Sequence, residues 1–164
     1  MEYTAYDTRL AAYALVIDAD DKILLSWFNG RGSRGRPGWS LPGGGVEFEE
    51  SLEEGLHREV LEETGLTVRL RGLLLANTVT EPGSRRPSGR GFKAVRIVYR
   101  AEVTGGTLGT LEVGGTTDRA EWVPISDLAR GEVHRSSIVD RALEAHAAAE
   151  RSAGDRKCAG EVLS

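Results

Sequence analysis

Cysteine is almost absent from this chain: Cys158 stands alone. A single thiol excludes an intramolecular disulfide framework and the CxxC kind of zinc site. Long apolar runs are missing as well, and none approaches the ~20 residues that span a bilayer. Met1 to Arg9 carries acids and no apolar stretch of the kind that directs secretion. A reducing, cytoplasmic setting away from membranes is the expectation. A general basic excess is also lacking. The net charge is −4, and the negative excess sits in one stretch, 44–66, with eight Glu against one Arg; the remainder carries 20 basic and 17 acidic residues. Proteins that coat nucleic acid are basic throughout, so a large nucleic acid is not an expected partner.

What is present is an ordinary globular composition, with 40% hydrophobic and 28% charged residues over 164 positions. A chain of this length buries roughly 70% of its unfolded surface without staples. One domain over residues 1–151 is expected, with 152–164 a flexible tail. Apolar patterning predicts strands at 10–17 and 22–28, joined as a hairpin through Asp18–Asp21. Asn29–Gly38 is a loop by its Gly and Pro content, and Trp39–Pro42 is short and extended. Further strands are expected at 67–76, 93–103 and 119–123, a short helix at 125–129 and a longer one at 137–151. This mixed order points to an α/β fold, layered around a mixed sheet.

The most informative segment is a helix predicted over Ser51–Thr64. Ser51 and Glu54 have the spacing of a capping box, and Gly65 stands where a left-handed glycine ends a helix. At 100° per residue, Leu52, Gly55, Leu56 and Val60 share the face that should meet the core. Glu59 and Glu63, one turn apart, fall in the same sector; Arg58 and Glu62 flank it, and His57 lies outside. Two carboxylates on an apolar face repel each other and lose hydration. A hard divalent cation answers that need, because Mg²⁺ binds through one or two carboxylates plus substrate phosphates, and Mn²⁺ suits the same oxygen ligands. A solvated acidic helix is the alternative, disfavoured by the position of these carboxylates on the Leu side after Gly43-Gly44-Gly45.

Gly44, then Glu50 after five residues, then Arg58-Glu59-Val60-Leu61-Glu62-Glu63-Thr64-Gly65-Leu66 after seven more, resembles the Nudix box at every fixed position. Phe48-Glu49 replaces a frequent Pro-Gly at variable places, and the wider resemblance runs over about residues 10–128, through Leu41-Pro42 and Glu121-Trp122-Val123-Pro124. The resemblance implies a Nudix-type α/β/α sandwich with a loop–helix–loop catalytic motif. It implies a hydrolase that cleaves a nucleoside diphosphate linked to another moiety, using Mg²⁺ or Mn²⁺. Glu59 and Glu63 resemble the principal metal ligands, with Glu62 a further ligand or a base and the Gly44 carbonyl an additional ligand. Arg58 would orient the glutamates, and Glu50 would anchor Arg58 or join the metal network.

Water is then the nucleophile, and Glu62, Glu112 and Glu121 are the candidates for general base. Arg31, Arg34 and Arg36 in one loop, and Arg85, Arg86 and Arg90 in another, are candidate phosphate contacts; Trp27, Phe28 and Trp39 could stack on a base. His57, His134 and His146 are scattered and are not read as metal ligands, and no local signature supports a Ser or Cys nucleophile. Nucleoside triphosphate pyrophosphohydrolysis is the narrower expectation. The alternatives are ADP-ribose, nucleotide-sugar or dinucleoside polyphosphate hydrolysis, and a nucleotide sensor, which the intact Glu50, Glu59, Glu62 and Glu63 disfavour. Homodimers are common in such a family.

Overall fold

In the computed structural model the described residues are 2, 5–31, 36–111, 113–131 and 134–161, with side chains described to 153. Among these residues seven strands and three α-helices follow in the order β1 (Tyr6–Leu15), β2 (Lys22–Phe28), β3 (Gly38–Ser40), β4 (Gly43–Gly45), α1 (Leu52–Thr64), β5 (Leu66–Glu81), β6 (Gly91–Gly106), β7 (Thr117–Pro124), α2 (Ile125–Ala129) and α3 (Ser137–Glu161). The strands make a four-stranded mixed sheet, β4-β1-β6-β5, and a three-stranded antiparallel sheet, β3-β2-β7.

Alternation along β1 divides the core. Ala12, Ala14 and Val16 pack with Leu24, Leu56, Val60 and Val68, which buries α1. Leu15 packs on the opposite side with Ile23, Leu25, Leu41, Val98, Leu128, Ile138, Val139 and Ala142, which buries α2 and α3. Helices thus cover both faces of the strands, as an α/β/α sandwich requires. Among the described residues no helix is long and apolar enough to cross a membrane.

The expected β1–β2 hairpin is corrected. Its turn forms, with Asp18 Oδ1 accepting from the backbone N–H of Asp20 and Lys22 at 2.9 Å each. Pairing ends after the Ile17–Ile23 bridge and the hydrogen bond from Leu24 N–H to the Val16 carbonyl. The two edges of β1 are already occupied by β4 and β6, so β2 joins another sheet. The β5 and β6 strands run beyond the expected ends, to Glu81 and from Gly91. The helical backbone of α3 continues through the expected end at 151 to Glu161, a stretch containing Ala, Arg, Lys and Glu, all good helix formers.

Candidate functional site

The site begins with how α1 starts and stops. Ser51 Oγ accepts from Glu54 N–H at 3.2 Å while Glu54 returns a bond to Ser51 N–H at 2.9 Å. Gly65 closes the helix at φ 69°, as expected. Thirteen residues held between these caps direct Leu56 and Val60 into the core and carry Glu59 and Glu63 with them.

Ahead of the helix, β4 lays three glycines antiparallel to β1, with Gly43 opposite Tyr13 and Gly44 opposite Ala12. Gly43 adopts φ 132°, and a Cβ there would collide with the Ala12 carbonyl. This close approach lets Gly43 N–H donate to Glu63 Oε2 at 3.0 Å, while Thr117 Oγ1 of β7 donates to Glu63 Oε1 at 2.7 Å. Glu63 is only 7% exposed. Burial pushes its carboxyl up to about 7, against the lowering effect of Thr117, Gly43 and Ser26. Burial also raises Glu59, in spite of its bond from Arg58.

Arg58 ties the acidic cluster together. Its Nε donates to Glu50 Oε1 at 2.6 Å and its Nη2 to Glu50 Oε2 at 3.0 Å, a two-pronged pair. Its Nη1 reaches Glu59 at 3.0 Å and Glu62 at 3.2 Å, and Nη2 also meets the Gly45 carbonyl at 3.1 Å. The guanidinium bond holds Glu50 down at about 2, helped by the Glu47 N–H. One cation is therefore shared among three carboxylates, which leaves the cluster short of positive charge.

These groups open into a cleft of about 590 Å³, within the size range of small-molecule sites. Gly43, Gly44, Arg58, Glu59, Glu62 and Glu63 form its acidic side. Arg31, Arg36 and Trp39, expected to meet substrate, also line it, as does Phe28. Trp39 is edge-to-face with Trp27 at 5.2 Å, and Arg119 lies over both rings. Arg34 and Glu112 lie outside the described residues.

Two expected site residues are not brought here. Arg85 belongs to the 3₁₀ turn Gly83–Arg85 between β5 and β6 and does not line the cleft; its neighbours Arg86 and Arg90 bond Asp7 at 2.8 and 2.7 Å. Glu121 is half-exposed and bonded to Arg119 Nε at 2.7 Å. Strand alternation sets it beside Leu25, on the face opposite to Ser26 and Ala120. It does not line the cleft. Conversely, Arg9, Tyr13, Ser26, Thr116, His134 and Ser136 line the cleft without having been singled out for it. The one available signal was period-two alternation on β1, which puts Arg9 and Tyr13 on one face.

The donor set suits a hard divalent cation. Two carboxylates pressed into one poorly hydrated cleft beside closely approaching backbone need countercharge, and oxygen is the only ligand type they offer. Among the described residues no three acidic, His or Cys side chains are gathered into a ready-made cage. Mg²⁺ does not require one, since it keeps several waters and shares its ligands with substrate.

A profile of the NUDIX domain matches residues 7–142, and the chain belongs to the Nudix family of hydrolases. It is 33% identical over 127 residues to an ADP-ribose pyrophosphatase of Methanocaldococcus jannaschii, covering 77% of this chain and 69% of that protein. It is 36% identical over 116 residues to an 8-oxo-dGDP phosphatase of Homo sapiens, covering 70% of this chain but only 32% of the human protein, so the chain spans about a third of that relative. Among solved structures it resembles a Nudix hydrolase from Nitrosomonas europaea, with TM-score 0.70, 25% identity and coverage of 87% and 90% of the two chains. A MutT Nudix hydrolase from Burkholderia pseudomallei gives TM-score 0.66 and 26% identity, with coverage of 84% and 97%.

Proposed function

We propose that this Nudix hydrolase cleaves a phosphoanhydride bond in a small nucleoside diphosphate derivative, with Mg²⁺ or Mn²⁺ held by Glu59 and Glu63. One observation carries the reading: two carboxylates of one helix face, both poorly hydrated, share a cleft with a glycine strand and with Arg31 and Arg36. The relatives' names agree in substrate class, since ADP-ribose and 8-oxo-dGDP both contain a nucleoside diphosphate.

The residues divide the labour. Glu59 and Glu63 hold the cation, with Glu62 and the Gly44 carbonyl at hand as further ligands. When bound there, a divalent cation screens the phosphoryl oxygens and makes water a better nucleophile. Thr117 and Gly43 N–H fix both oxygens of Glu63, so its lone pairs are aimed before substrate arrives. Arg58 positions Glu59 and Glu62 and is itself clamped by Glu50. Arg9, Arg31 and Arg36 take the charge of the diphosphate, which positions it for in-line attack by water. Glu62 lines the cleft and is 45% exposed, which supports it as the base that accepts a proton from that water.

The test is a panel of ADP-ribose, nucleotide sugars, nucleoside triphosphates and 8-oxo-dGDP, assayed after chelation and after return of Mg²⁺ or Mn²⁺. Nucleoside monophosphate, phosphate and pyrophosphate are quantified separately. Metal-dependent release of a nucleoside monophosphate is expected; no turnover of any member with either metal overturns the proposal.

A further inference from the structure

The β1 wall of the cleft continues onto two neighbouring strands. Arg9 and Tyr13 line the cleft and flank Ala11 on one face of β1. Register places Ala11 beside Arg96 of β6, and Arg96 beside Asn77 of β5. Cross-strand neighbours share a face, so Arg96 and Asn77 lie on the sheet face that carries Arg9 and Tyr13, buried beyond the residues that line the cleft.

Arg96 is an unusual occupant of that surface. It is only 8% exposed. Its Nε donates to Asn77 Oδ1 at 3.2 Å, but among the described residues Arg96 Nη2 and Asn77 Nδ2 are buried with no hydrogen-bond partner. Among the described residues no carboxylate is paired with it. Burial loosens its proton, and Arg141 of α3 adds a second cation. A buried guanidinium with idle donors and no counterion is costly. The unused polar atoms are all N–H groups, which select acceptor oxygens and reject cations.

We propose that Asn77 and Arg96 form an oxyanion subsite adjoining the cleft behind Tyr13, which holds a phosphoryl group of the substrate other than the one attacked. The proposal rests on the reading of the cleft as the seat of phosphoanhydride hydrolysis. Arginine suits the role because its planar fork matches phosphoryl oxygens, and the amide beside it adds a directed donor. Tyr13 stands at the junction: it lines the cleft and shares a face of β1 with Ala11, the register partner of Arg96. A substrate reaching past Tyr13 would exchange the cost of the idle donors for charge-assisted bonds.

Inorganic phosphate, titrated into the metal-free full chain and followed calorimetrically and by Arg side-chain NMR, tests the subsite without turnover. The parent and Glu63→Gln are expected to bind phosphate with a perturbed Arg96 signal, and Arg96→Met to lose at least about tenfold in affinity, the worth of one charge-assisted bond. With nucleoside triphosphate as substrate, Arg96→Met should raise KM by about tenfold and leave kcat within about twofold. A merely structural arginine would lower the melting temperature on substitution. Here Arg96→Met is expected to melt at or above the parent, because apolar atoms replace unpaired donors. Equal phosphate affinity in parent and Arg96→Met, or phosphate perturbing only Arg31 and Arg36, overturns the subsite. If phosphate binds Arg96 while the chain hydrolyses nothing, the catalytic reading fails instead, and with it the assignment of the bound group to a substrate.

Discussion

The Glu59 carboxylate lies against the backbone of Gly44 with room for a hydrogen and nothing larger. A Cβ at Gly44 would stand 2.7 Å from Glu59 Cδ and 2.8 Å from both oxygens. Gly44 is not in the left-handed region, so alanine suits the backbone there and the clash falls on a side-chain end that can move aside. Gly44→Ala is therefore expected to fold with a melting temperature close to the parent's while losing roughly 10- to 100-fold in metal affinity, the scale seen when a ligand's orientation is disturbed. Metal titration by calorimetry, beside a thermal melt, checks it; unchanged metal affinity would separate Glu59 from the cation.

Arg58→Lys tests the clamp. Lysine keeps the charge but cannot reproduce the paired bonds to Glu50 together with those to Glu59, Glu62 and the Gly45 carbonyl. Turnover is expected to fall roughly 10- to 100-fold, as for other groups that orient metal ligands. Stability should drop by about 1–3 kcal/mol, the worth of hydrogen bonds to charged groups. Denaturant melts and saturating-substrate kinetics read the two effects separately.

How far the sequence reached depends on whether a feature is local. The caps of α1, its core face and the Arg58–Glu59–Glu62–Glu63 cluster follow from spacing within one helix, so Ser51, Gly65, Leu56 and Val60 stand where periodicity puts them. Arg9, Tyr13, Ser26, Thr117 and His134 come from four separate parts of the chain and meet only after strands pair over long separations. The same non-locality hid the division into two sheets, which turns on β4 and β6 claiming the edges of β1. Glu121 suits a base by residue type, while its side of β7 depends on register with Leu25, which no local pattern reveals. Arg85 misled because an arginine-rich loop resembles a phosphate contact until Asp7 is found holding its neighbours.

Ser51→Ala separates stability from chemistry. Loss of the side-chain cap at the N-terminus of α1 should cost about 1 kcal/mol. Ser51 does not line the cleft, so kcat/KM below the melting range should match the parent. A large loss of kcat in a folded variant would show that the helix start is coupled to the site.

The last prediction concerns pH. Glu63 is pushed up to about 7 in the folded chain from an ordinary 4.5. Between those values the folded state keeps a proton that the unfolded state has released, so stability falls as pH rises. Two and a half pH units correspond to about 3 kcal/mol at most. Glu59 is raised too and adds in the same direction. Glu50, held at about 2 by Arg58, works oppositely: its contribution is present above about 4.5 and is lost as pH falls toward 2. Metal-free protein should therefore be most stable near pH 4.5 and weaken toward neutrality. Glu63→Gln, which cannot ionise, should flatten most of that decline while lowering turnover by orders of magnitude, because it removes a ligand charge and little packing. Mg²⁺ added at pH 8 should restore stability to the parent and much less to the variant, since binding to the folded state alone shifts the equilibrium by mass action. Melts of both proteins across pH 4 to 8, with chelator and with Mg²⁺, make the comparison; a parent whose metal-free stability rises steadily to pH 8 would mean that the Glu63 carboxyl is ionised and well solvated, and that the cleft does not need a cation.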